Sequence, residues 1–325
     1  MRYTYSSHLK EYIEGLLDQK HALGCPYLAS ERILKDFDEF CKFNYPNEKE
    51  LTKEIGQTWA VIKQTEKPCS FQNRMAPVRE LARYINRLGI EAYVISSEYT
   101  PKYARQHVPH IFTDSELKLF FAATDRLQKN ERSEIRHIAV PVIFRLLYCC
   151  GLRPNEVRIL KRENIDLSTG MLNIPESKGH KDRAIMIAED VLELCNKYYR
   201  FAKRKYPNSQ YFFPSRFEQG NCYSSNWLSK MFWRCWCSSG IGDFSGNRPR
   251  PYDFRHTFAT NKLYEWMKSG KNLEAQLPYL SAYLGHSNFS QTAYYIHLVP
   301  EIFPHMAKMN FSTYEALIPE VEDET

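Results

Sequence analysis

Arg153, Lys178, Arg255, His286 and Tyr295 are the residues of this chain whose types and spacing suggest chemistry. Each sits in its own short signature: Gly151-Leu152-Arg153 with Glu156, Ser177-Lys178-Gly179, Arg255-His256-Thr257, Leu284-Gly285-His286, and Tyr295-Ile296-His297. Together they supply what attack on a phosphodiester needs without a metal or a cofactor. Cations and hydrogen-bond donors would stabilise a pentavalent phosphorane. A positioned proton donor would serve the leaving oxygen, and an oxygen nucleophile would attack. Taken singly, each residue also has an ordinary structural reading. Arg153 could simply pair with Glu156, Lys178 could be an exposed turn lysine, and His286 could be a core histidine.

The elements that would position these groups can be read from periodicity. Residues 1–98 read as all-helical, with stripes Leu9, Ile13, Leu16, Leu17 and Ile33, Phe37, Phe40 at helical spacing. A third helix is expected over 77–87, ended by Gly89, with Arg79, Arg83 and Arg87 forming one basic edge suited to phosphate contacts. Residues 99–112 lack periodicity and read as a linker, with a domain boundary near 108. Thr113-Asp114-Ser115-Glu116 has capping-box spacing and should open the next helix. A buried helix over 139–150 is stopped by Gly151, and Pro154 suits the first turn of its successor. Met171-Leu172-Asn173-Ile174-Pro175 and Arg183-Ala184-Ile185-Met186-Ile187 alternate around a polar turn, so a β-hairpin should carry Lys178 at its tip. Arg255 falls in the first turns of a helix, His286 just past the end of another, and Tyr295 on a short helix nine residues later. The fold class is therefore mainly α with a small β-sheet.

Composition sets limits on function. The 325 residues suffice for two domains, and 43% hydrophobic with 25% charged residues is ordinary for a folded protein. A net charge of +6 permits a polyanionic partner without demanding one. The nine cysteines include no C-x-x-C pair, so neither a disulfide framework nor a metal site is expected. Cys149 and Cys150 lie in an apolar run and should act as small hydrophobes. The N-terminus has no signal-peptide pattern, and the longest apolar run is interrupted by Arg145, so a cytoplasmic location without a membrane span is expected.

With these motifs on the page, the chain resembles the tyrosine recombinase (phage integrase) superfamily, in its Xer-like or transposon-borne two-domain type. GLR-x-x-E, the hairpin lysine, DFRHTFAT, LGHS and the final Y-x-H carry the likeness. The resemblance implies a helical, SAM-like core-binding domain over 1–107 and a mixed α/β catalytic domain over 108–325, closing as a C-shaped clamp on double-stranded DNA. It implies a site-specific DNA recombinase that cleaves and rejoins strands through a 3′-phosphotyrosyl intermediate. Such an enzyme would integrate, excise or resolve a mobile element or plasmid. Four protomers would assemble on core sites, alone or with partner recombinases, and the apolar stripe over 298–312 would dock on a neighbouring protomer.

Within that resemblance Arg153, Arg255 and His286 would hold the scissile phosphate, and Lys178 would protonate the departing 5′ oxygen. Tyr295 would attack, in preference to its neighbour Tyr294, and Glu156 would orient Arg153. The family usually has His three residues before the second Arg, where this chain has Tyr252. A phenol is a poor proton acceptor near neutral pH, which leaves the role of Tyr252 open. It also keeps in view a catalytically impaired DNA-binding accessory protein. A monomeric cleave-and-reseal topoisomerase is the other alternative.

Overall fold

The structure, a computed structural model, describes residues 3–25, 27–99, 108–131, 133–177, 181–216, 221–242, 248–286 and 288–296. Lys178, His297 and the 298–312 stripe lie outside the described residues. The chain divides into two compact units, Met1–Gln106 and His107–Thr325.

The first unit contains α1 (Lys10–Ala22), α2 (Leu28–Asn44), α3 (Lys53–Trp59) and α4 (Pro68–Arg87). The expected stripes face inward: Ile13, Leu16 and Phe37 are fully buried. Two expectations change. Helix α3 has seven residues, too few to show a stripe, and starts where Thr52 accepts from the Ile55 backbone N–H. Helix α4 begins at Pro68, in the first turn where proline fits, so Pro77 lies inside it. Its buried face runs Phe71, Met75, Val78, Leu81, Ile85.

The basic edge of α4 is broken at its first member. Arg79 donates from Nε to Ile95 O at 2.8 Å and from Nη2 to Ser96 O at 2.8 Å, pinning the chain that leaves the helix. Arg83 and Arg87 are exposed.

In the second unit, α5 (Asp114–Asp125) opens on the capping box: Thr113 Oγ1 accepts from Glu116 N, and Glu116 accepts from Thr113 N at 2.8 Å. Next come α6 (Arg136–Cys149), α7 (Pro154–Arg158) and an antiparallel sheet ordered β1 (Ile165–Asp166), β2 (Met171–Ser177), β3 (Lys181–Met186). Leu172 pairs with Ile185 on the buried face, while Met171 pairs with Met186 on the exposed one. The chain continues through α8 (Glu189–Lys205), α9 (Ser225–Ser238), α10 (Asp253–Lys268), α11 (Leu273–Leu284) and α12 (Ser290–Ile296). It is a mainly α fold with one small sheet. Cys150 is buried as expected, but Cys149, about 100° round the same helix end, is exposed. No helix among the described residues is long and apolar enough to cross a membrane.

Helix α10 joins two cores. Phe254 enters an aromatic cluster with Phe112, Phe120, Phe144 and Phe232, stacking on Phe112 at 4.5 Å. Phe258, Ala259 and Leu263 instead pack with Leu277, Leu280 and Leu284 of α11 and Tyr295 of α12. Between these two apolar faces comes Arg255, and the helix thereby fixes its guanidinium from both sides. Phe254→Ala should lower stability by roughly 3–5 kcal/mol, the usual cost of emptying an aromatic site in a packed core. Urea unfolding at unchanged m-value would measure it.

Candidate active site

Arg255 is fully buried, so its guanidinium needs partners that do not cancel its charge. It has them in backbone carbonyls: Nη1 donates to Gly151 O at 2.8 Å, and Nη2 donates to Leu284 O. Its Nε has no hydrogen-bond partner among the described residues. Burial lowers its pKa, and Arg153 beside it adds to the effect.

Both carbonyl sources follow from local sequence. Helix α11 ends in a Schellman motif, with Gly285 at φ 65°, His286 N–H donating to Ser281 O and Gly285 N–H to Ala282 O. That pattern leaves the Leu284 and Gly285 carbonyls pointing outward. Gly151 has φ +58°, and a Cβ there would come within 2.6 Å of Phe258, so a side chain is excluded on two grounds.

Arg153 caps α7 and reaches in two directions. Nη1 donates to Glu156 at 2.7 Å, and Nη2 donates to Gly285 O at 2.7 Å, 132 positions away in sequence. The Arg153–Glu156 pair is thus real, but it is one part of a larger arrangement. Glu156 also receives both Nη groups of Arg183, at 2.9 and 2.7 Å. Burial would raise the Glu156 pKa, but the guanidinium groups of Arg183 and Arg153 outweigh it and hold the carboxyl below its usual range.

His286 follows Gly285 directly. Its Nδ1 lies 2.7 Å from Thr292 Oγ1, and its ring is nearly parallel to that of Tyr295, with centroids 5.8 Å apart. Burial, then Arg255, Arg153 and Arg183, push its pKa down to about 3. The imidazole is therefore neutral near pH 7.

Tyr295 is 2% exposed and Tyr294 40% exposed, so Tyr295 alone of the pair faces the arginines. Burial raises the Tyr295 pKa, while Arg255 and Arg153 pull against it. The ring of His256 lies among three tyrosines, 5.1 Å from Tyr252, 5.4 Å from Tyr295 and 6.2 Å from Tyr294. Tyr252 itself is half-buried at the start of α10, and its phenol bears electrostatically on Arg255 and Tyr295.

Arg153, Glu156, Arg255, His286 and Tyr295 therefore converge, with Tyr252 at their edge. Arg83 and Arg87 lie in the other unit. Sequence reasoning passed over Arg183, His256 and Thr292. Arg183 had left a signal, since it is in phase with buried Ile185 and Ile187 on an alternating strand. Two anchored guanidinium groups, a neutral imidazole and a phenol suit a tetrahedral anion that becomes more negative during reaction.

Residues 111–301 match the phage integrase family. The chain belongs to that family. It is 27% identical over 303 residues to an integrase/recombinase, y4rB, of Sinorhizobium fredii, covering 92% of this chain and 94% of that one. With the tyrosine recombinase XerC of Chlorobaculum parvum it shares 26% identity over 250 residues, 71% of this chain and 69% of the other. Its fold is similar to that of the XerH recombinase bound to palindromic difH substrate, with TM-score 0.60, 18% identity, and coverage of 86% and 78%. This phage integrase family member is a tyrosine-type site-specific DNA recombinase.

Two outcomes follow from the electrostatics. Glu156→Gln leaves buried guanidinium groups short of their counter-charge and should cost roughly 3–5 kcal/mol of stability in chemical denaturation. For His286 the folded pKa, about 3, lies below the ordinary histidine value of 6.5, so the unfolded chain binds the proton more readily. Its contribution is complete above 6.5 and is lost as pH falls from there towards 3. Stability measured from pH 7 to pH 4.5 should fall less steeply in His286→Gln than in the wild type.

Proposed function

We propose that this recombinase breaks and rejoins duplex DNA at specific sites through a 3′-phosphotyrosyl intermediate on Tyr295. The observation that carries the reading is the shared anchorage of Arg153 and Arg255 on the end of α11, with His286 leaving that same end and stacking on Tyr295. Four side chains from three distant stretches of sequence meet there, and their types support a site for one phosphate.

In this reading the guanidinium groups of Arg153 and Arg255 hold the non-bridging oxygens, and His286 donates to the same phosphate. Tyr295 Oη forms a bond to phosphorus while the bond from phosphorus to the 5′ oxygen breaks. Lys178 supplies the proton to that oxygen, and the phenolic proton passes to water or to the phosphate. The phosphotyrosyl link retains the bond energy, so a second 5′ hydroxyl can reverse the step on another strand. Glu156 steadies Arg153, and the exposed Arg83 and Arg87 contribute phosphate contacts. Recombination then joins or separates two copies of a core site on a mobile element or plasmid, within a tetramer.

Nicked duplexes made from the DNA that flanks the gene's own element would test this, incubated in EDTA and run on denaturing gels. A covalent protein–DNA band is expected from the wild type and from Tyr294→Phe, and none from Tyr295→Phe. Site binding without any covalent band would instead identify an accessory DNA-binding protein. Supercoil relaxation without recombinant products would point to the topoisomerase alternative.

A further inference from the structure

The hydroxyl of Thr292 lies at the hinge between two groups of the site. The residue is fully buried on α12, three positions before Tyr295. Its Oγ1 is 2.7 Å from His286 Nδ1, and this is the sole hydrogen bond of that oxygen among the described residues. A buried hydroxyl proton needs an acceptor. Among the described residues no carbonyl takes it, so the proton points at Nδ1, and an Nδ1 that accepts a hydrogen bond cannot also carry a proton. The neutral imidazole must then bear its hydrogen on Nε2. Burial and the surrounding guanidinium groups keep a second proton off the ring, so the choice of tautomer falls to this hydrogen bond.

We propose that Thr292 is a positioning residue that fixes His286 in the tautomer with Nδ1 as acceptor and Nε2–H as donor to the scissile phosphate. The hydrogen bond also ties the nucleophile's helix to the phosphate donor. Because Thr292 and Tyr295 share α12, the placement of that helix sets the angle of the imidazole and the position of the phenol together. A misplaced α12 would lose both at once. This inference rests on the reading that His286 meets the phosphate, but its structural half can be decided without any DNA.

The experiment uses the full-length chain with 15N-labelled histidine, in which the His286 signal is identified by its loss in His286→Gln. The wild type should show the Nε2–H tautomer at pH 7, and Thr292→Val should shift the population away from it. Thr292→Ser, which keeps the hydroxyl, should restore the wild-type pattern. In covalent trapping on nicked sites, Thr292→Val should slow cleavage by on the order of tenfold to hundredfold, the scale of a misaligned reacting group. Non-covalent site binding should be unchanged, and Thr292→Ser should stay within about threefold of wild type, since its donor remains. An Nδ1–H tautomer in the wild type would overturn the proposal. So would wild-type cleavage by Thr292→Val, or a Thr292→Ser as slow as Thr292→Val, which would mean damage to the helix rather than loss of the hydroxyl. If the wild type formed no adduct at all, the recombination chemistry would fall, while the tautomer measurement would still judge the role of Thr292.

Discussion

The site depends on backbone carbonyls holding two guanidinium groups that carboxylates could have held instead. Gly151 O and Leu284 O orient Arg255, and Gly285 O orients Arg153. A carbonyl solvates a cation and fixes its direction, yet leaves its formal charge intact. The end of a helix is well suited to this, because its last carbonyls lack intrahelical partners and carry the negative end of the dipole. Glu156 is a carboxylate that meets Arg153, and it is shared with Arg183. The result is a buried site that keeps an excess of positive charge for an incoming anion.

The same excess acts on the other two groups in one sense, against a bound proton. It adds to burial in keeping protons off His286, and at Tyr295 it opposes burial without overcoming it, so the phenol pKa stays above its ordinary value. Neither effect needs a carboxylate base close to the phenol. Tyr252 and His256 stand beside Tyr295 and complete a largely aromatic wall. The Tyr295 ring is thus packed in an apolar cluster, with Arg255 and Arg153 close enough to act on its phenol.

Much of this was legible because caps, turns and alternation are local. The capping box at Thr113, the Pro154 start, the two hairpin strands and Gly285 before His286 all follow from short-range chemistry. The five signature residues could be named because each sits beside such punctuation. Less visible were interactions whose partner is irregular backbone. Arg79 looked like one member of a periodic edge, but its acceptors, Ile95 O and Ser96 O, lie in a segment with no pattern. Pro77 read as a helix start because proline usually is one, whereas the apolar face of α4 extends through it to Phe71. Arg183 and Thr292 were missed for a common reason: each meets a residue already singled out, from an element whose own pattern reads as ordinary packing.

The anchorage on α11 also sets where the chain can change length. Adding one residue to an α-helix turns its end by about 100° and moves it by about 1.5 Å. Inserted between Leu273 and Leu284, that residue would aim the Leu284 and Gly285 carbonyls away from both arginines at once, with no single side chain lost. The surface turns between β1 and β2 and after α8 instead hold Asn196, through Leu167 O, and Arg162, through Tyr206 O and Pro207 O, so an extra residue there disturbs contacts outside the site. Length variation that spares activity should therefore gather in those turns and avoid the twelve residues of α11.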